Sequence, residues 1–387
     1  MPEKKKQHYI PKLYMRLFTH NQKDFAVLNI SNRKILNSVP YGSHCYKDYY
    51  YGKDGIWENR LAEMESDWLN TFQLVLSKAP LTAENISSLK QFALYQRQRT
   101  LAEGNYSKKI RKELLTECAK SLCKNDNLAY NDKDLEEWCA QRANESISPA
   151  ETLQFATQYM SSINDLNVVI IEYKTHVELC SSDVPVIAIN PFHLHTIGYG
   201  SMGLILLFPI SPHHLVVIFD PKMYPQYNKK LYVELSNENE VRNLNILQLI
   251  SAEEILFARN PNVFLNYKEN HWSIRNKNRN SRSIHSLGSD DQKIIGTTLR
   301  KTVFDCNFSF ARIHSEFKSI PFHCKEAVPR VWEKEWEDKL NTKIEMMPQI
   351  ALHNPDVLKM LNLTIKEMRC GYERMARAAN KYWNNAL

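Results

Sequence analysis

No stretch of this 387-residue chain is apolar for long enough to span a bilayer as a helix. The longest apolar run, residues 203–209, has the length of one strand, against the roughly 18 residues a membrane helix needs. Lysines at positions 4–6 would suit the basic start of a secretion signal, but no apolar stretch follows, so no signal peptide is expected. The eight cysteines form no CxxC pair and keep no regular spacing. That argues against a disulfide framework and for reduced thiols in a cytoplasmic setting. No Walker-type loop, GxGxxG or GxSxG element occurs, so nucleotide binding by those routes and serine-hydrolase chemistry lack support. Internal repeats and low-complexity tracts are absent as well.

What is present is the make-up of an ordinary globular protein, 43% hydrophobic and 24% charged, at a length where two domains are the default. The net charge of +7 is unevenly spread, with cations in excess over residues 1–60 and 259–301. Arg275, Lys277, Arg279 and Arg282 fall in one short stretch with no acid among them. Such a segment neutralises phosphates, or it is a solvated linker; both readings stay open.

The pattern along the chain predicts an α+β fold: a helical layer packed on a mainly antiparallel sheet, with an α-rich C-terminal extension. Residues 25–36 read as a hairpin, an apolar run returning after a polar turn. Trp57, Leu61, Met64, Trp68, Phe72 and Val75 recur at helical spacing, and Thr82 is placed to cap the next helix. Further helices are expected over 107–123, 132–143 and 148–162, the last opened by a Ser148-Pro149-Ala150-Glu151 capping box. Short β-branched runs at 168–171, 177–180, 184–189, 204–208 and 215–219 read as strands. A helix over 238–257 and a closing strand at 263–265 complete a core domain, residues 1–265. Residues 266–292 read as a basic polar linker, and 293–387 as the extension, with helical faces near 332–336 and 364–383.

The N-terminus carries the sequence's best mark of ancestry. Gln7-His8-Tyr9-Ile10-Pro11-Lys12-Leu13-Tyr14-Met15-Arg16-Leu17-Phe18 is too aromatic and apolar for a frayed end and is expected to dock on the domain. Behind it come the aromatic segment 46–50, then Glu58, Leu61 and Glu65, then Gln96, Arg97 and Arg99. Ser182-Asp183-Val184-Pro185-Val186, Pro209-Ile210-Ser211-Pro212, Asn243 and Asn245, and the 255–259 segment follow in order. Over about residues 7–265 this succession resembles the family catalogued as domain of unknown function 4238. Lys12 departs from the glutamine or arginine frequent there. The resemblance implies a shared fold and no particular reaction.

Several residues have the chemistry for a site. His8, held beside Pro11 between aromatic neighbours, suits a general base, a metal ligand or a bonded core residue. Glu58 and Glu65 lie two helical turns apart and share a face with Leu61 and Trp68. An inward carboxylate must be paired or bind a metal, and Arg97 and Arg99 are ready partners. Asp183 precedes Val184-Pro185, where an acid side chain caps the following turn. Should His8, Glu58 or Glu65, Arg97 and Asp183 converge, Glu65 and Asp183 would be the metal ligands, and oxygen donors with one imidazole would suit magnesium or manganese. Glu172-Tyr173-Lys174 has the look of half a restriction-type nuclease site, but no second acid lies suitably upstream. His193, His195, His213 and His214 lack the further ligands a zinc site needs.

Two functions follow as expectations. One is a metal-dependent nuclease or related phosphodiesterase, in the setting of a bacterial defence effector. The other is a non-catalytic module that binds nucleic acid or protein. In either, Lys4, Lys5, Lys6, Lys12, Arg16, Arg275, Lys277, Arg279 and Arg282 would be the nucleic-acid contacts.

Overall fold

A computed structural model describes residues 5–125, 128–146, 149–192, 198–279, 284–287, 294–297 and 307–318. The chain opens with a short strand, β1 (Lys6–His8), and a single helical turn, α1 (Lys12–Arg16). β2 (Asp24–Asn29) and β3 (Ile35–Pro40) form the expected hairpin, and β4 (Tyr46–Asp48) comes back to pair antiparallel with β1. Five helices follow: α2 (Ile56–Leu76), α3 (Ala83–Gln98), α4 (Leu101–Asn125), α5 (Asp132–Ser146) and α6 (Pro149–Tyr159). Thr82 does cap α3: its hydroxyl accepts from the Asn85 N–H while the Asn85 side chain accepts from the Thr82 N–H.

The strands after α6 are β5 (Asn167–Tyr173), β6 (Ser181–Ser182), β7 (Ile187–Ile189), β8 (Ile205–Pro209), β9 (His214–Phe219) and β10 (Tyr232–Leu235). Then come α7 (Glu238–Ser251), β11 (Ile255–Ala258) and α8 (Glu269–Arg279). One sheet runs β10-β5-β9-β8-β7 and is antiparallel except for the parallel pair β10–β5. The other runs β3-β2-β11-β6 and is antiparallel throughout.

Both sheets are covered on both faces, which is why their strands read as continuous apolar runs rather than alternating ones. On β5, Val168 and Ile170 face a core shared with Trp68, Phe72, Phe92 and Leu153 of the helical layer. Val169, Ile171 and Tyr173 face the other way, against Val241, Leu244 and Leu247 of α7. Behind the four-stranded sheet a third core joins Leu28 and Leu256 to Leu249, Phe264 and Trp272. The α+β class therefore holds, with the sheet divided in two and helices on both sides.

Three segments differ from the sequence pattern, each for a local reason. Residues 177–180 are not a strand: the Asn245 carboxamide accepts from the Cys180 N–H and donates to the Glu178 carbonyl, replacing a strand neighbour. The helix expected over 238–257 stops at Ser251, because Ala252 is extended and Asp183 takes the next two N–H groups; β11 follows. Residues 263–265 lie in a 3-10 segment, Pro261–Asn266, capped by the Asn260 side chain.

The stretch expected as a polar linker, 266–292, begins instead as the packed helix α8. Its Trp272 is buried beneath the Arg33 guanidinium, 4.6 Å from the ring centre. Arg275 is also buried and donates to the Ala252 carbonyl at 2.6 Å. Two further strands, β12 (Ile284–Leu287) and β13 (Ile294–Thr297), pair antiparallel. Within the extension, Phe308, Phe310 and Phe317 pack onto the core behind the five-stranded sheet. The helical faces expected near 332–336 and 364–383 lie outside the described residues.

Candidate functional site

The N-terminal motif builds a latch. Tyr14 of α1 is fully buried among the rings of Phe18, Phe72, Phe92 and Phe257. Its hydroxyl donates to the Pro209 carbonyl at 2.6 Å and lies 2.9 Å from the Ser181 hydroxyl. Each such ring contributes about 2 kcal/mol by leaving water, enough to dock a chain end that has little backbone pairing of its own. Gln7 donates to the Gly52 carbonyl and accepts from the Tyr51 N–H. Gln96 of α3 donates to the Tyr9 carbonyl at 3.1 Å.

Arg99 closes the latch. It is 1% exposed, and its three nitrogens donate to the His8 carbonyl at 2.6 Å, Glu65 at 2.9 Å and the Tyr51 hydroxyl at 3.0 Å. The Glu–Arg clamp expected from α2 and α3 is therefore Glu65 with Arg99. Arg97 reaches another part of the fold, donating to the Val186 carbonyl and the Tyr199 hydroxyl. Glu58, two turns before Glu65, is half-buried, and its charge is felt at the Tyr51 hydroxyl.

The His8 imidazole is buried, with Nε2 3.3 Å from the Gly42 carbonyl. A carbonyl can only accept, so Nε2 carries the proton. Burial pushes the imidazole down to about 4, with Lys12, Arg99 and Lys6 adding to the shift, so the ring is neutral at pH 7. Asp183 belongs to a different set of bonds. Its two oxygens accept from the N–H groups of Glu253 at 2.9 Å and Glu254 at 2.6 Å. Burial raises its carboxyl to about 7, against the pull of those two donors.

The His8, Glu65, Arg97 and Asp183 side chains thus each bond to other partners. Among the described residues, no two of the His8 imidazole, the Glu65 and Asp183 carboxylates and the Arg97 guanidinium bond each other. Glu65 Oε1 accepts from the Arg99 guanidinium, and the two Asp183 oxygens accept from main-chain N–H groups. Among the described residues no three His, Cys, Asp or Glu side chains are grouped to hold a metal ion.

The expected nucleic-acid contacts divide. Lys5, Lys6, Lys12 and Arg16 are exposed on the ribbon and α1. Lys6 lies over the Tyr46 ring, 4.8 Å from its centre, and Lys53 lies 5.4 Å from that of Tyr49. Lys5 pairs with Asp48 at 3.3 Å. Lys277 is exposed on α8, whereas Arg275 is buried and bonded, which removes it from the contact surface. Lys4 and Arg282, the Arg279 side chain, and His193 and His195 lie outside the described residues.

A second charged row was only half legible. Glu172 on β5 stands beside Glu234 on the parallel strand β10 and opposite His214 on the antiparallel strand β9. Lys174 bonds Glu172, and the Lys78 ammonium bridges Glu172 and Glu234. Burial acts to raise the Glu172 carboxyl, but Lys174 and Lys78 outweigh it and hold it at about 2. Ser211 Oγ accepts from the N–H groups of His213 and His214, leaving its own proton for His214 Nδ1 at 2.8 Å. Among the described residues, His214 Nε2 has no hydrogen-bond partner. Glu234 lies downstream of Glu172 in the sequence, and strand pairing brings the two acids side by side.

The order of motifs from β1 to β11 can now be compared with known families. The family described as protein of unknown function (DUF4238) matches residues 6–262. The chain belongs to that family. Its match covers both sheets, the latch and α7, and ends at the 3-10 segment before α8. No curated protein and no solved structure matches the chain significantly. Among the described residues no helix is long and apolar enough to cross a membrane.

Proposed function

We propose that this DUF4238 protein is a non-catalytic module that binds nucleic acid through its N-terminal ribbon and α1. The observation that carries this is a division of labour within one motif. His8, Glu65 and Asp183, the groups a hydrolase would need, bond within the fold, while Lys5, Lys6, Lys12 and Arg16 are exposed, Lys6 over the Tyr46 ring and Lys53 near that of Tyr49. Cations interleaved with aromatic rings fit a single strand, whose phosphates they neutralise and whose bases stack on the rings. The test is fluorescence anisotropy with labelled single- and double-stranded DNA and RNA over a range of salt. Lys6→Glu, Lys12→Glu and Arg16→Glu together should weaken binding at least tenfold and flatten its salt dependence. Unchanged affinity in that variant would remove the surface from the account.

One observation favours a second reading, metal-dependent phosphodiester hydrolysis. It is the row Glu172, Glu234, Lys174 and His214 at one end of the five-stranded sheet. On this reading magnesium or manganese would be needed, and Glu172→Gln and Glu234→Gln would abolish cleavage that His8→Gln leaves intact. Oligonucleotides that stay whole with either metal would dismiss it.

A further inference from the structure

α7 and the segment leading into α8 line a cavity of about 460 Å³. That is the size of a small-ligand site. Its lining contains no acidic residue and three basic ones: Arg242 from α7, and Lys268 and His271 from the start of α8. Arg242 gives one Nη2 contact to Glu238 at 3.2 Å, one turn back. His271 Nδ1 accepts from the Lys268 N–H, so the ring's remaining proton sits on Nε2 as a donor. Four asparagines line it, of which Asn245 is already bonded to Cys180 and Glu178, leaving Asn239, Asn243 and Asn266, and Ile246 and Val263 add apolar wall.

We propose that this cavity binds a phosphate-bearing small molecule of mononucleotide size. A guanidinium, an ammonium and an imidazole N–H lining one cavity are the donors that recognise a phosphate monoester. Carboxamides are the side chains that pair with the donor and acceptor edges of a base, and the aliphatic wall takes a ring face. The proposal does not rest on the N-terminal surface, which is built from other elements.

The phosphate has two sources, a free nucleotide or the 5′ end of a strand. Isothermal titration of the full chain with the four nucleoside monophosphates, adenosine, inorganic phosphate and a 5′-phosphorylated dinucleotide separates them. At least one monophosphate should bind one-to-one, at least tenfold tighter than its nucleoside and than inorganic phosphate. Arg242→Ala with Lys268→Ala should weaken it at least tenfold at an unchanged melting temperature. Asn243→Ala should weaken the nucleotide and leave inorganic phosphate alone. The dinucleotide binding as well as the monophosphate supports a strand end as the source, and its exclusion supports a small molecule. Absence of saturable monophosphate binding, equal binding of adenosine or of inorganic phosphate, or unchanged affinity in the double variant would overturn the assignment. None of these readouts depends on Lys6, Lys12 or Arg16, so failure here and failure of the N-terminal surface are separable.

Discussion

The latch around β1 and the charged row at the end of β5 use the same residue types to opposite effect. Around the latch, Asp183 accepts from two main-chain N–H groups, and Arg99 donates to the His8 carbonyl as well as to Glu65 and Tyr51. In the row, among the described residues, the hydrogen bonds and ion pairs of Glu172 and Glu234 go to the flexible ammonium groups of Lys78 and Lys174. A buried side chain that satisfies backbone is architecture, because removing it orphans groups water cannot reach. A carboxylate that meets only lysines can exchange partners at little cost. The residues that mark the family lie mostly in the first class.

That contrast predicts graded losses. Arg99→Met should cost the most, about 3–5 kcal/mol, because Glu65 loses its paired charge and the His8 carbonyl its shorter hydrogen bond together. Denaturant unfolding reads this directly, and a cost near zero would mean that the latch does not hold the fold. Asp183→Ala should cost about 2–3 kcal/mol by stranding two N–H groups. Tyr14→Phe should cost about 1 kcal/mol, having lost one hydroxyl but kept its ring packing. Lys78→Met should scarcely move the unfolding midpoint, since the ammonium group is exposed; a large loss there would erase the distinction between the two regions.

Within the latch, pH should act in two directions. Asp183 sits above its ordinary value of 3.8, at about 7, so the folded state holds its proton more tightly than the unfolded one. Its contribution is full below pH 3.8 and fades as pH rises through 7. His8 is displaced the other way, to about 4, so folding loses stability as pH falls from 6.5 toward 4. Melting temperatures between pH 4 and 8 should therefore fall less steeply toward alkali in Asp183→Asn than in the wild type. In His8→Gln they should fall less steeply toward acid. Parallel curves for all three proteins would contradict both assignments.

Much of the scaffold was legible because it depends on local rules. The hairpin of β2 and β3, the Thr82 cap and the helical face of Trp68 and Phe72 each follow from neighbours a few residues away. The docked N-terminus followed from its aromatics, and a Glu–Arg clamp from an inward-facing Glu65. Spacing alone could not choose between Arg97 and Arg99, since that depends on where α3 ends against the His8 carbonyl. It also could not reveal that Asn245 would stand in for a strand at 177–180, or that β10 would pair parallel to β5 and deliver Glu234. Those are non-local pairings, and no window of sequence contains both partners.

The most direct test of the central claim, that the motif's acids and imidazole hold the fold while its lysines make contacts, is oligonucleotide binding and cleavage measured on the same three proteins. Wild type, His8→Gln and the Lys6→Glu, Lys12→Glu, Arg16→Glu variant would be compared with magnesium, manganese or EDTA. The account predicts intact substrate throughout, salt-sensitive binding in the first two proteins, and its loss in the third. Metal-dependent cleavage by the wild type that vanishes in a folded His8→Gln protein would contradict it.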